Sequence, residues 1–263
     1  MTAAEQWTAE LRAWEIPTEI LSAAPRDPYA FCPSQIRRPA VDPRGTPTGR
    51  VVAERLAAGE RLLDVGVGAG RIAGAFAGDH DVLGVEPREG LAATAREVGI
   101  TVIPGRWPDV ADSAGRAPVV LSSHVLYDVQ DPGPFLAALH RAAARRVVIE
   151  VTAVHPWVRV GPLYRLVHGI DRPTGPSAEL LADVVADVVG TRPRTEAWQR
   201  PGGIADDVEE VLDHTRRMVC IDASHPQAAA LDEAVRADLA DLPGGGVQMP
   251  PVDQVTLWWD VDA

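Results

Sequence analysis

The chain has 263 residues, 46% of them hydrophobic and 24% charged, with 37 acidic side chains against 25 basic ones and a net charge of −12. Such a balance describes a globular chain that can bury a large core. Beyond the pairs Arg37-Arg38 and Arg145-Arg146 there is no basic cluster, which argues against a nucleic-acid partner, because neutralising phosphate needs concentrated positive surface.

The first residues carry no basic stretch leading into an apolar run, and no run of about 18 apolar residues occurs, so neither a secretory signal nor a membrane span is expected. Cys32 and Cys220 stand alone and read as reduced thiols of a cytoplasmic protein. Lysine and asparagine are absent. A GC-rich bacterial genome, which disfavours their A-rich codons, accounts for that, and the chemical consequence is definite. There is no phosphate-loop lysine and no Schiff base. Gly-x-Ser-x-Gly, His-Glu-x-x-His and Cys-x-x-Cys are missing too, and with them the usual signs of a serine hydrolase, a zinc protease and a structural zinc site; no metal is expected.

In chain order, residues 1–45 hold Trp7, Trp14, Tyr29 and Phe31 among prolines. They predict a helix over 3–14, then irregular chain forming an N-terminal lid. The main domain, 46–263, opens with Thr46-Pro47 as helix cap and first-turn proline, and Gly59 is the stop signal. A buried strand over 61–65 leads to a helix at 70–77 closed by Gly78. A strand over 82–86, a helix over 89–98 ending at Gly99 and a short strand over 101–104 follow. Residues 118–122 form the next buried strand, Asp131-Pro132 opens a helix reaching 144, and 146–151 is strand five. This alternation predicts an α/β fold, a mostly parallel sheet with helices on both faces.

After Thr152 the rhythm breaks. Residues 153–176 read as an insertion carrying His155, Trp157, Arg159, Tyr164, Arg165 and His168. Ser177 caps a helix to 189, a strand lies near 194–199, and helices near 205–219 and 226–241 follow. Pro243-Gly244-Gly245-Gly246 is a flexible break before a final strand at 255–259.

The densest signal is Arg61-Leu62-Leu63-Asp64-Val65-Gly66-Val67-Gly68-Ala69-Gly70. An apolar strand runs into a turn so tight that only side-chain-free backbone can pass. Glu86 then ends the next apolar run, 22 residues after Asp64, and a carboxylate so placed can accept from both hydroxyls of a ribose. A dinucleotide fingerprint would require Gly-x-Gly-x-x-Gly, and its third glycine would fall on Arg71.

The spacing Asp, x, Gly, x, Gly, x, Gly instead resembles motif I of the class I S-adenosylmethionine (SAM)-dependent methyltransferases, with Glu86 as their following acidic motif. The resemblance covers about residues 46–152. It implies a Rossmann-like sandwich of seven strands, the last antiparallel, and a methyl transfer from SAM to O, N or C of a small molecule, leaving S-adenosylhomocysteine (SAH). It further implies that Gly66, Gly68 and Gly70 face the amino acid part of the cofactor. Asp64 supports the turn or meets the ammonium through water, and Glu86, with Pro87 beside it, binds the ribose. Many members place an acid where Arg106 stands here, so the adenine contact passes to backbone amides, to Trp107 stacking or to Asp109. Ser122 and Ser123 line the methionine part. His124 is the candidate general base, against the plainer reading of a buttress.

Two other functions stay open on the residues alone: a SAM- or SAH-binding regulatory protein without turnover, and, less favoured, an NAD-dependent oxidoreductase. The expected partners are a small-molecule acceptor and, in a homodimer, a second copy; no nucleic acid and no membrane are expected.

Overall fold

The computed structural model describes residues 1–29 and 41–261. The expectations that fall on Phe31, Cys32, Arg37 and Arg38 lie outside them. Helix α1 (Ala3–Arg12) begins in a capping box in which Thr2 and Glu5 satisfy each other's backbone N–H groups. Helix α2 (Thr18–Ala23) follows, in a stretch expected to be irregular. Helix α3 (Pro47–Ala53) starts as foreseen, with the Thr46 hydroxyl accepting from the Gly49 N–H.

Strand β1 (Arg61–Val65) enters the glycine turn. The helix expected over 70–77 does not form. A single 3-10 turn, Ala73–Phe76, takes its place before β2 (Asp81–Glu86). Glycines at 70, 74 and 78 punctuate this segment, and each costs about 1 kcal/mol of helix relative to alanine. Helix α4 (Glu89–Glu97), strand β3 (Thr101–Pro104), the one-turn α5 (Ala111–Ala114) and strand β4 (Ala117–Ser123) come next. Then follow α6 (Pro132–Ala142), β5 (Ala143–Thr152), α7 (Gly161–His168), α8 (Ala178–Val189) and β6 (Arg194–Arg200). The last part holds β7 (Ile204–Ala205), α9 (Val208–Met218), α10 (Ala228–Ala237), β8 (Ala240–Asp241), β9 (Val247–Gln248) and β10 (Val252–Asp260).

Seven strands form one sheet in the order β3-β2-β1-β4-β5-β10-β6. The pairs among β1 to β5 are parallel, and β10 runs antiparallel to both of its neighbours. Alternate strand residues feed two cores. Leu63, Val85, Val120, Val147 and Ile149 meet α1, α6 and α8 on one face, and Leu62, Val82, Val119, Leu121 and Val148 meet α3 and the 3-10 turn on the other.

A third core lies outside the sheet. Tyr164 of α7 packs with Val211 and Leu212 of α9, Leu231 and Val235 of α10, and Val247 of β9. The cap is therefore larger than the insertion at 153–176. It joins that segment to a second one, 201–251, lying between β6 and β10. Both leave the sheet at the end where the parallel strands finish, so the cap stands over their carboxyl edge.

Candidate functional site

Register places one polar side chain along the same edge of six neighbouring strands, at the carboxyl end of five and near the amino end of the antiparallel β10, all on the α3 face. Asp64 pairs across to Gly84 and Leu121, Ser123 to Glu150, and Thr152 through Gln254 to Trp198. With a side-chain period of two, the row reads Glu86, Asp64, Ser123, Glu150, Gln254, Arg200 across β2, β1, β4, β5, β10 and β6.

The acidic end of the row is built by the glycine turn. Gly66, Gly68 and Gly70 all have positive φ (77°, 56° and 76°). A Cβ on Gly66 would come within 2.2 Å of Val125, but one on Gly68 would meet nothing within 4 Å. The turn is closed from behind at Gly66 and opens onto free space at Gly68. Glu86 is 2% exposed and is held at 3.0 Å by the Gly68 N–H, and at 3.0 Å by the Arg88 N–H. Asp64 is 3% exposed, and its Oδ1 has no hydrogen-bond partner. Burial, and then the charges of Glu150 and Glu86, push its carboxyl up to about 8.

Beside this lies a network that sequence reading missed. Glu150, 2% exposed, accepts from the Thr48 hydroxyl at 2.5 Å and the Ser123 hydroxyl at 3.3 Å. Thr48 lies 2.7 Å from Thr256, whose hydroxyl accepts from the Trp198 indole at 3.2 Å. Burial raises the Glu150 carboxyl, but the His124 imidazole and the Thr48 hydroxyl outweigh it and hold the group below its usual range. His124 takes a left-handed backbone (φ 58°). Its N–H donates to the Glu150 carbonyl at 2.8 Å, and its Nε2 stands 3.1 Å from Glu150 Oε1, an ion-pair contact outside hydrogen-bond angles. An imidazole so strained and so paired belongs to a functional edge more than to a core. The only signal for Glu150 in the sequence was a charge inside an apolar strand.

Of the other residues foreseen, Ser122 turns away from the row and donates to the Val65 carbonyl at 3.0 Å, bracing β4 to β1. Pro87 and Arg106 are exposed. Trp107 packs against the opposite face, its indole donating to the Phe135 carbonyl at 3.2 Å.

The wall beyond His124 is aromatic. Tyr127 lies 6.1 Å from His124 and meets His155 edge-on, and His155 stacks on Trp14 at 4.5 Å. Tyr29 stacks on Trp157 at 5.6 Å. The N-terminal segment and residues 153–176 therefore pack together at this edge. Burial, then the charge of Arg172, brings the His155 imidazole down to about 4. Burial raises the Tyr127 hydroxyl to about 12, with Thr152 hydrogen bonds opposing it.

Residues 63–149 match a family described as a methyltransferase domain. Among solved structures, a candidate methyltransferase of Bacillus halodurans C-125 is similar, with TM-score 0.54 and 13% identity, over 83% of this chain and 100% of that one. A second solved structure, described by the conversion of a disulfide bond into a thioacetal group during echinomycin biosynthesis, has TM-score 0.51 and 17% identity, over 90% of this chain and 88% of that one. No curated protein matches the chain. Among the described residues no helix is long and apolar enough to cross a membrane, and no cluster of His, Cys, Asp or Glu is placed to hold a metal ion. Residues 63–149 thus match a methyltransferase domain, and the sheet order is that of the class I SAM-dependent methyltransferase fold.

Proposed function

We propose that this chain transfers a methyl group from SAM to a nucleophilic atom of a small molecule. The observation that carries this reading is the acidic end of the row. Gly68 opens onto free space, Glu86 is buried beside it with both oxygens anchored, and Asp64 keeps an unpartnered buried oxygen.

These residues fit SAM, which has no phosphates and carries a cationic amino group. Glu86 would accept from the ribose hydroxyls, Asp64 would face the ammonium, and the turn at Gly66, Gly68 and Gly70 would admit the amino acid part. Bound there, SAM supplies a methyl group already activated by its sulfonium. The chain's own work is to position the acceptor and exclude water. With Nε2 of His124 beside Glu150, Nδ1 is the ring nitrogen left to take a proton from the acceptor. The buried Glu150 holds the ring for that task.

Calorimetry with SAM, SAH and NAD tests the reading. Micromolar binding of SAM and SAH and much weaker binding of NAD are expected, and Glu86→Ala should weaken SAM by about 1–3 kcal/mol, as for a buried polar group deprived of its charged partner. NAD affinity equal to that of SAM would overturn the cofactor assignment.

A further inference from the structure

The opposite end of the polar row is cationic and unpaired. Arg200 closes β6, and its Nε and Nη1 atoms are buried without a hydrogen-bond partner. Diagonally across on β10, where Val252 is the residue paired with Arg200, Gln254 is fully buried with its Oε1 likewise unpartnered. Buried polar atoms in folded proteins are almost always satisfied, so the two open donors of Arg200 mark a place where an acceptor on a ligand completes the bonding.

Glu150 is the nearest acid in the row, but its oxygens are engaged by Thr48, Ser123 and His124. Arg71, the first residue after the glycine turn, is exposed. Neither Arg71 nor Arg200 has an ion-pair partner among the described residues. Glu150 is the acid that faces Arg200, yet it makes no bond to it, so two buried N–H donors of the Arg200 fork stay open, and a planar arginine fork matches a carboxylate.

We propose that Arg200 anchors a carboxylate on the methyl acceptor, so that the substrate is a small organic acid. The inference rests on the methyltransferase reading above. Geometry sets the scale of the substrate. From β4, which carries His124 just beyond its end, to β6 is three strand spacings, about 14 Å at about 4.8 Å each. The Arg200 side chain shortens that span, and the aromatic wall of Tyr127, His155 and Trp14 flanks it. An acid with a flat body between its carboxylate and its nucleophile fits such a slot.

The test uses SAH-saturated protein, parent and Arg200→Gln, titrated calorimetrically with a panel of aromatic and aliphatic carboxylates, each beside its primary amide. Some carboxylates should bind the parent at least tenfold more tightly than their amides. Arg200→Gln should erase that preference, keep SAH affinity within twofold and melt near the parent temperature. Arg200→Lys should recover part of the preference. The proposal is overturned if no carboxylate is preferred, if the preference survives Arg200→Gln, or if SAH affinity falls in step with it. That last outcome would hand the arginine to the cofactor's own carboxylate. Parent protein that binds no SAH would sink the methyltransferase reading itself, and this inference with it.

Discussion

Asp64 is a carboxyl held against its nature: buried, unpaired and flanked by two further acids. Its proton affinity in the folded chain, near pH 8, exceeds that of an unfolded aspartate at about 3.9. Folding therefore favours the protonated form. The contribution is complete below about pH 4 and is lost as pH rises towards 8. Denaturant melts at pH 5 and pH 8 should show a downward slope for the parent that Asp64→Asn flattens. SAH affinity should move the other way, rising over the same interval, since an ammonium is best received by an ionised acid. A parent and variant with the same pH profile would remove Asp64 from the site. The glycines separate in the same manner. Gly66→Val drives a side chain into Val125 and should unfold the protein, whereas Gly68→Val projects into open space and should abolish SAH binding with a smaller loss of melting temperature. Asp64 and Glu86 were legible in the sequence because strand, turn and acid are local. Thr48 and Glu150, which meet across 102 residues, were not, for no local pattern encodes a long-range contact.

At the scale of elements, the N-terminal segment is fastened to both halves of the protein. The Trp7 indole donates to the Val129 carbonyl at 3.1 Å, and Trp14 donates to the Gly175 carbonyl. Arg172 bonds the carbonyls of Trp14 and Glu15 while lying over the rings of Trp14 and Tyr164. A segment so placed could exclude water by closing on a bound ligand. SAH should slow hydrogen exchange across residues 1–29, and Trp14→Ala should cancel that protection while sparing the sheet. Protection limited to the glycine turn, Glu86 and β4 would rule out a lid. Trp7 is a different matter: at 1% exposure it belongs to the core, and Trp7→Ala should cost about 3–5 kcal/mol by denaturant titration. Strand positions were easily read, since apolar runs between turn residues leave little choice. The expected helix at 70–77 failed because its pattern ignored what the glycines at 70 and 74 cost. The cap eluded sequence reading for a further reason: its two halves are separated by α8 and β6, and helix periodicity in 205–241 says nothing of where those helices dock.

Across the whole molecule, charge is graded along one edge of the sheet, from the acids of β1 and β2 to the arginine of β6. A cationic cofactor and an anionic acceptor would approach opposite ends of that gradient, each with its own binding surface and with the reacting atoms meeting between them, near β4. The order of the strands has another consequence. Strands β5 and β6 are consecutive among the long strands, yet β10 lies between them and bonds to both. A ribosome delivers β10 after every other described element. Until it arrives, β5 and β6 each present an open edge, and Thr48 and Trp198 lack the threonine that joins them. The nascent chain must therefore wait with two sticky edges exposed, and a chain cut at residue 251 would keep them for good, ready to pair with other molecules and aggregate.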